Sequence, residues 1–156
     1  HALLPEELQR QFPLVIAGMQ GWKTAQFSDL VRAGVAAGKI RLLGYVPDDI
    51  LPCVYSGAAV FAYPSLYEGF GLPPLEAMAS GTPTIVSDCS SLPEVVGDAA
   101  RRVAPLDVEQ WRAGLLELIE DRDLRGRLAA LGPARARQFS WGRTATETMA
   151  AYRSVL

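Results

Sequence analysis

A chain of 156 residues is long enough for one domain with a real core. Its 49% hydrophobic and 21% charged content fits a globular protein, and a net charge of −2 with no long like-charge run argues against a duplex nucleic-acid partner, which would demand a basic face. No apolar run approaches the roughly 20 residues of a membrane span and no signal peptide is legible, which points to a cytoplasmic location.

Residues 5–11 read as a short polar helix, and residues 13–18 as an apolar run ending in glycine, the pattern of a buried parallel strand. Leu30, Val31 and Val35 give residues 28–37 helical spacing, with Gly38 as C-cap. Residues 40–43, closed by Gly44, form the second strand, and residues 48–55 a short helix with Asp48 as N-cap. Residues 58–63 are the third strand. Residues 73–80 are a helix with proline early and Gly81 just past its end. A fourth strand over residues 83–86, a helical turn over 92–96 and a fifth strand over 101–104 follow. Asp107 and Gln110 have capping-box spacing at the start of a longer helix, whose Val108, Trp111, Leu115 and Leu118 make one apolar face. A further helix spans residues 121–131 and is interrupted near Gly132-Pro133. Ser140 caps a last helix that carries Trp141, Ala145, Met149, Tyr152 and Leu156 on a stripe. Core packing is the expectation for Trp111 and Trp141. Strands alternating with helices predict an α/β fold, a Rossmann-like three-layer sandwich with a parallel sheet, spanning residues 1–156 as one domain. Ligands in such sheets sit at the carboxyl ends of the strands.

The residue inventory narrows the chemistry. The only histidine is His1, which removes Ser-His-Asp and Cys-His nucleophiles and histidine-ligated zinc. Cys53 and Cys89 are too few and too far apart for a metal knuckle or a disulfide framework, and read as buried reduced thiols. Carboxylates, backbone amides and groups outside this chain remain.

The stretch EGFGLPPLEAMASG is the place where they meet. Glu68 and Glu76 stand on either side of the turn Gly69-Phe70-Gly71, which follows the third strand and runs into Leu72-Pro73-Pro74. The glycines let a backbone approach a ligand closely. A helix N-terminus offers free N–H groups and a partial positive charge for a diphosphate. Pro73 and Pro74 have no N–H, so the donors are Phe70, Gly71 and Leu72. A carboxylate suits the vicinal hydroxyls of a sugar or ribose. Glu76 is expected in the first helical turn, with the helix dipole holding it ionised. Either glutamate alone reads equally as a solvated surface residue; strand, glycine turn, prolines, helix and second carboxylate together suggest a nucleotide-sugar site. Gly18-Met-Gln-Gly21 is a tight turn rather than a dinucleotide fingerprint, with ligand approach at Gly18 a minor alternative. Lys23 after it reads as solvated, Trp22 as a loop residue, and Glu94 as a helix-dipole carboxylate. Tyr45 and Val46 follow the second strand and read either as a wall of a nucleobase pocket or, for Val46 with Pro47, as no more than the start of the next helix.

The string PSLYEGFGLPPLEAMASGTPTIVSDCSSLPEVVGDAA, with IRLLGYVPDDILPCVYSGA before it and ARQFSWGRTATETMAAYRSVL after it, resembles the donor-binding half of retaining glycosyltransferases of family four, the group 1 transferases. The resemblance implies one half of a GT-B fold, in which two Rossmann-like domains face each other across a cleft. It implies transfer of a sugar from a nucleoside diphosphate to an acceptor with retention, without a bound metal or other cofactor. Glu68 would support charge at the reacting carbon. Glu76 would hold the ribose hydroxyls, the amides of Phe70, Gly71 and Leu72 would meet sugar and diphosphate, and Tyr45 and Val46 would lie against the base. The family pattern also holds an amino-terminal acceptor-binding domain, a first strand and basic phosphate-binding residues. None has a counterpart here, so the chain reads as an excised donor domain, inactive alone. Membrane-surface association is open to the intact enzyme, since many family members use lipid-linked acceptors. The alternatives are a non-catalytic nucleotide-binding or interaction module and another GT-B enzyme, a nucleotide-sugar epimerase or a phosphorylase. An epimerase would want more acid/base residues than His1 supplies, and no pyridoxal lysine stands out.

Overall fold

The computed structural model describes residues 1–18 and 25–155. Strands β1 (Leu14–Ala17), β2 (Ile40–Gly44), β3 (Phe61–Tyr63), β4 (Thr84–Ser87) and β5 (Arg101–Val103) alternate with helices α1 (Glu6–Gln11), α2 (Ala25–Ala36), α3 (Leu51–Ser56), α4 (Leu72–Ala79) and α5 (Leu92–Val96). Three helices close the chain: α6 (Val108–Glu120), α7 (Arg122–Ala136) and α8 (Trp141–Ser154). Each strand pairing is parallel, as the alternation predicts. The pairings make two sheets, β1–β2 and β3–β4–β5, rather than one.

β4 is the centre of the core. Its side chains alternate between the two faces of the sheet, and all four residues are buried. Val86 packs with Met78, Leu92, Val96, Ala99 and Ala100 under α4 and α5. Ile85 packs with Val103, Leu118 and Leu128 under α6 and α7. Two glycines permit close helix approach. A Cβ on Gly114 would lie 2.8 Å from Ile85 Cδ1, and one on Gly132 would lie 2.7 Å from the Met78 carbonyl oxygen. That contact explains why α7 does not stop at Gly132-Pro133 but runs on to Ala136. Packing of Gly132 against α4 outweighs the local breaker signal.

The caps divide. Asp107 Oδ1 accepts from the Gln110 N–H at 2.9 Å and Ser140 Oγ from the Arg143 N–H at 3.2 Å, both as expected. Asp48 is not a cap. The Pro47 carbonyl accepts from the N–H groups of Ile50 and Leu51, both at 3.0 Å, closing a turn that delays α3 to Leu51.

Burial corrects four other expectations. β1 is only half-buried, with Val15 44% exposed, because it pairs with β2 alone. Trp141 is 80% exposed and α8 has no buried residue, whereas Trp111 packs at the edge of the core. Cys53 is exposed and Cys89 half-buried. Met19, Gln20, Gly21, Trp22, Lys23 and Leu156 lie outside the described residues.

Candidate functional site

β3 delivers the chain to Tyr63 at its carboxyl end, and the next eight residues turn back into α4. Gly71 is the N-cap, in a left-handed conformation (φ 106°, ψ 52°), and a Cβ there would meet Leu92 Cδ2 at 2.7 Å. Gly69 faces open space. Leu72 is the first helical residue and Pro73 and Pro74 follow, where helical N–H groups have no intrahelical partner to lose. The helix thus starts one residue earlier than the prolines suggest. Glu76 lies beyond the first turn, which holds no acid, so the macrodipole does not account for it. Among the described residues no hydrogen bond engages the N–H groups of Phe70, Gly71 and Leu72.

Each glutamate has a tyrosine instead. The Tyr63 hydroxyl donates to Glu68 Oε1 at 2.7 Å, and the Ser65 hydroxyl reaches the same oxygen at 2.8 Å. The Tyr55 hydroxyl donates to Glu76 Oε2 at 3.1 Å. Burial, the hydrogen bond and the charge of Glu68 push the Tyr63 phenol up to about 12. Burial and the charge of Glu76 push Tyr55 up as well. Both phenols therefore keep their protons through the neutral range. Phe61 joins the two: its ring meets Tyr55 edge-on at 5.3 Å between centroids and stacks with Tyr63 at 6.0 Å. One aromatic stack thus carries both carboxylates.

Distant residues strap the turn. The Glu68 N–H donates to Ser90 Oγ at 3.0 Å, and the Ser91 hydroxyl lies 3.1 Å from the Glu68 carbonyl and 2.8 Å from that of Phe70. Ser90 adopts a left-handed φ of 49°, uncommon for a residue with a side chain. The Phe70 ring meets Phe139 edge-on at 5.7 Å, and Arg135 covers Phe139 while donating to the Val95 and Glu94 carbonyls at the end of α5.

Glu68, Gly69, Phe70, Gly71, Leu72 and Glu76 are brought together on one strand-to-helix connection. Gly18, Tyr45 and Val46 sit elsewhere, at the carboxyl ends of β1 and β2. Gly18 has φ 121° and its N–H donates to the Gly44 carbonyl at 2.8 Å. Tyr45 is exposed and Val46 half-buried. Among the described residues no hydrogen bond or ring contact ties these three to the glutamate turn. Sequence reasoning missed Tyr55, Tyr63, Ser65, Ser90, Ser91, Arg135 and Phe139. Only Tyr63 and Ser65 left a signal, as hydroxyl groups just ahead of Glu68. Among the described residues no cluster of His, Cys, Asp and Glu could hold a metal ion, and no helix is long and apolar enough to cross a membrane.

Comparison with known proteins bears on the family and the fold. The family model for glycosyl transferases group 1 matches residues 1–135. The chain is 46% identical over 153 residues to the O-antigen chain mannosyltransferase B of Escherichia coli, covering 98% of this chain and 40% of that protein. Sucrose-phosphate synthase from Thermosynechococcus elongatus superposes with a TM-score of 0.80 at 26% identity, over 96% of this chain and 40% of the synthase. The Anabaena protein HepE, solved in complex with UDP, shares the fold with a TM-score of 0.78 at 20% identity, over 94% of this chain and 42% of HepE. The chain therefore spans about two fifths of the length of each. Strand, left-handed glycine turn, helix and paired carboxylates fall inside the matched residues, and the chain belongs to the glycosyl transferases group 1 family.

Proposed function

We propose that this chain is the donor-binding half of a retaining glycosyltransferase that moves a hexose from a nucleoside diphosphate to an acceptor. The name of the Escherichia coli relative favours mannose, and the UDP complex of HepE favours a nucleoside diphosphate as the bound group. The bond between the anomeric carbon and the diphosphate oxygen breaks, and its electron pair leaves with the phosphate. The acceptor oxygen bonds the same carbon on the same face, and its proton passes to the departing phosphate. The amides of Phe70, Gly71 and Leu72 stabilise the negative charge that develops, and Glu68 the positive charge on the sugar ring. Glu76 accepts from the ribose hydroxyls, and Tyr45 and Val46 line the base. No metal or cofactor takes part. The acceptor site belongs to a second domain that faces this one, and the intact enzyme acts in the cytoplasm, at the membrane surface where its acceptor is a lipid.

One observation carries this reading: three N–H groups that no hydrogen bond engages among the described residues open α4 between two carboxylates. The test uses the complete protein as its gene encodes it, with a panel of UDP- and GDP-linked hexoses. Release of nucleoside diphosphate is followed with and without added acceptor. Glu68→Ala is expected to lower turnover on the order of 100-fold, and Glu76→Ala to weaken UDP or GDP binding in calorimetry. Absence of turnover with every donor, or indifference to both substitutions, overturns the reading. The exposed stripe of α8, with Trp141 and Tyr152 at 80% and 60% exposure, favours a second one: a module whose work is to pack against a partner. Nucleotide binding without any turnover selects it.

A further inference from the structure

We infer that Tyr63 and Tyr55 are positioning residues that set the two carboxylates of the site independently, Tyr63 fixing Glu68 for the chemical step and Tyr55 fixing Glu76 for nucleotide binding. This assignment rests on the glycosyl-transfer reading above and deepens it.

The hydrogen bonds are asymmetric in a way a merely structural pair would not need. Tyr63 and Ser65 both reach Oε1 of Glu68, at 2.7 and 2.8 Å. A carboxylate offers lone pairs on two oxygens, and among the described residues Oε2 has no hydrogen-bond partner. Ser65 has a single proton and also lies 3.1 Å from the Tyr67 carbonyl, so Tyr63 is the donor committed to Glu68. Its phenol keeps that proton far above neutral pH. Glu68 thus presents one oxygen, in one orientation, on a backbone already strapped by Ser90 and Ser91.

Glu76 is served separately. Tyr55 comes from α3 rather than from the strand, and is buried. Its carbonyl accepts from the Thr82 hydroxyl at 2.7 Å, which fixes the base of the side chain. Tyr55 donates to Oε2 of Glu76 and leaves Oε1 without a protein partner among the described residues. Phe61 lies between the two phenol rings and holds both. Phe61 and Tyr63 are two residues apart in β3, so they share a face. The site therefore has one rigid support with two hydroxyl tips, each assigned to a different carboxylate.

Two isosteric substitutions test the assignment in the complete protein, with the hexose donor that supports turnover. Losing one hydrogen bond to a charged group is worth about tenfold or more. Tyr63→Phe is expected to lower kcat about tenfold with KM and nucleotide affinity nearly unchanged. Tyr55→Phe is expected to weaken UDP or GDP binding and raise KM by about the same factor, with kcat nearly unchanged. Tyr63→Phe made on Glu68→Ala should cost nothing further, because the group it positions is already gone. Glu68→Gln and Glu76→Gln serve as controls. If both behave like the unsubstituted protein, the glycosyl-transfer reading falls and this assignment with it. If both are impaired while the two tyrosine variants stay normal, or lose kcat and KM alike together with melting temperature, the assignment falls and the reading stands.

Discussion

β4 and β1 read alike as sequence: both are short apolar runs flanked by turn residues. TIVS is buried at all four positions, whereas in LVIA half-burial alternates with exposure. β4 lies between β3 and β5, with helices on both faces. β1 and β2 pair only with each other, and Leu42 and Leu43 of β2 are 57% and 45% exposed. The difference separates the candidate site into two grades of support. Glu68, Glu76 and the glycine turn hang on the half that owns the core. Gly18, Tyr45 and Val46, assigned to the base, hang on the half that does not.

The largest contrast is expected in stability. Ile85 of β4 is completely buried among Val103 of β5, Leu118 of α6 and Leu128 of α7. Ile85→Ala should destabilise by about 2–5 kcal/mol, the range for removing a large aliphatic side chain from a packed core. Val15→Ala, at a half-exposed position, should remain within about 1 kcal/mol. Urea denaturation of the two variants measures both values. Equal losses would mean that the halves share one core after all.

A smaller contrast separates two glycines with similar backbone angles. Gly71 (φ 106°) and Gly18 (φ 121°) both sit where a side chain is strained, at roughly 1–2 kcal/mol. Among the described residues only Gly71 adds a collision, with Leu92 at 2.7 Å, whereas none lies within 4 Å of a Cβ built at Gly18. Gly71→Ala should therefore destabilise more than Gly18→Ala by about 1 kcal/mol or more, and should also disturb the amides that open α4. Matched denaturation midpoints would show that Leu92 yields freely and that the turn is not held by its packing.

What the sequence made legible follows the range of each interaction. The Asp107–Gln110 cap, the alternation of strands and helices, and the placement of the glycine turn after β3 are local, and neighbouring residues encode them. Counting from Pro73 puts Glu76 in the first helical turn; the helix starts one residue earlier, at Leu72, so that role is lost and Tyr55, 21 residues earlier, takes its place. The straps on Glu68 come from Ser90 and Ser91, 22 and 23 residues away, and Phe70 leans on Phe139. No spacing rule announces such contacts. Gly132-Pro133 failed as a stop for the same reason, since contact with Met78 decides the matter. Exposure of Trp141 was illegible because an apolar stripe records what a helix could bury, not what it does bury.

The smallest contrast concerns two caps of the same kind. Asp107 and Ser140 each accept a hydrogen bond from the N–H three residues on, at 2.9 and 3.2 Å. Replacing such a cap by alanine typically costs about 1 kcal/mol. α6 buries Gly114 and Leu118 against β4 and β5, so its first turn cannot loosen without loosening the core. Asp107→Ala should then appear in full in global stability. α8 buries no residue, so its first turn can fray while the rest of the chain stays folded. Ser140→Ala should speed amide hydrogen exchange at the start of α8 and leave the denaturation midpoint almost unmoved. A midpoint shift as large as that of Asp107→Ala would mean that α8 is coupled to the core despite its exposure, and that its stripe already contributes to the stability of the half that carries the glutamates.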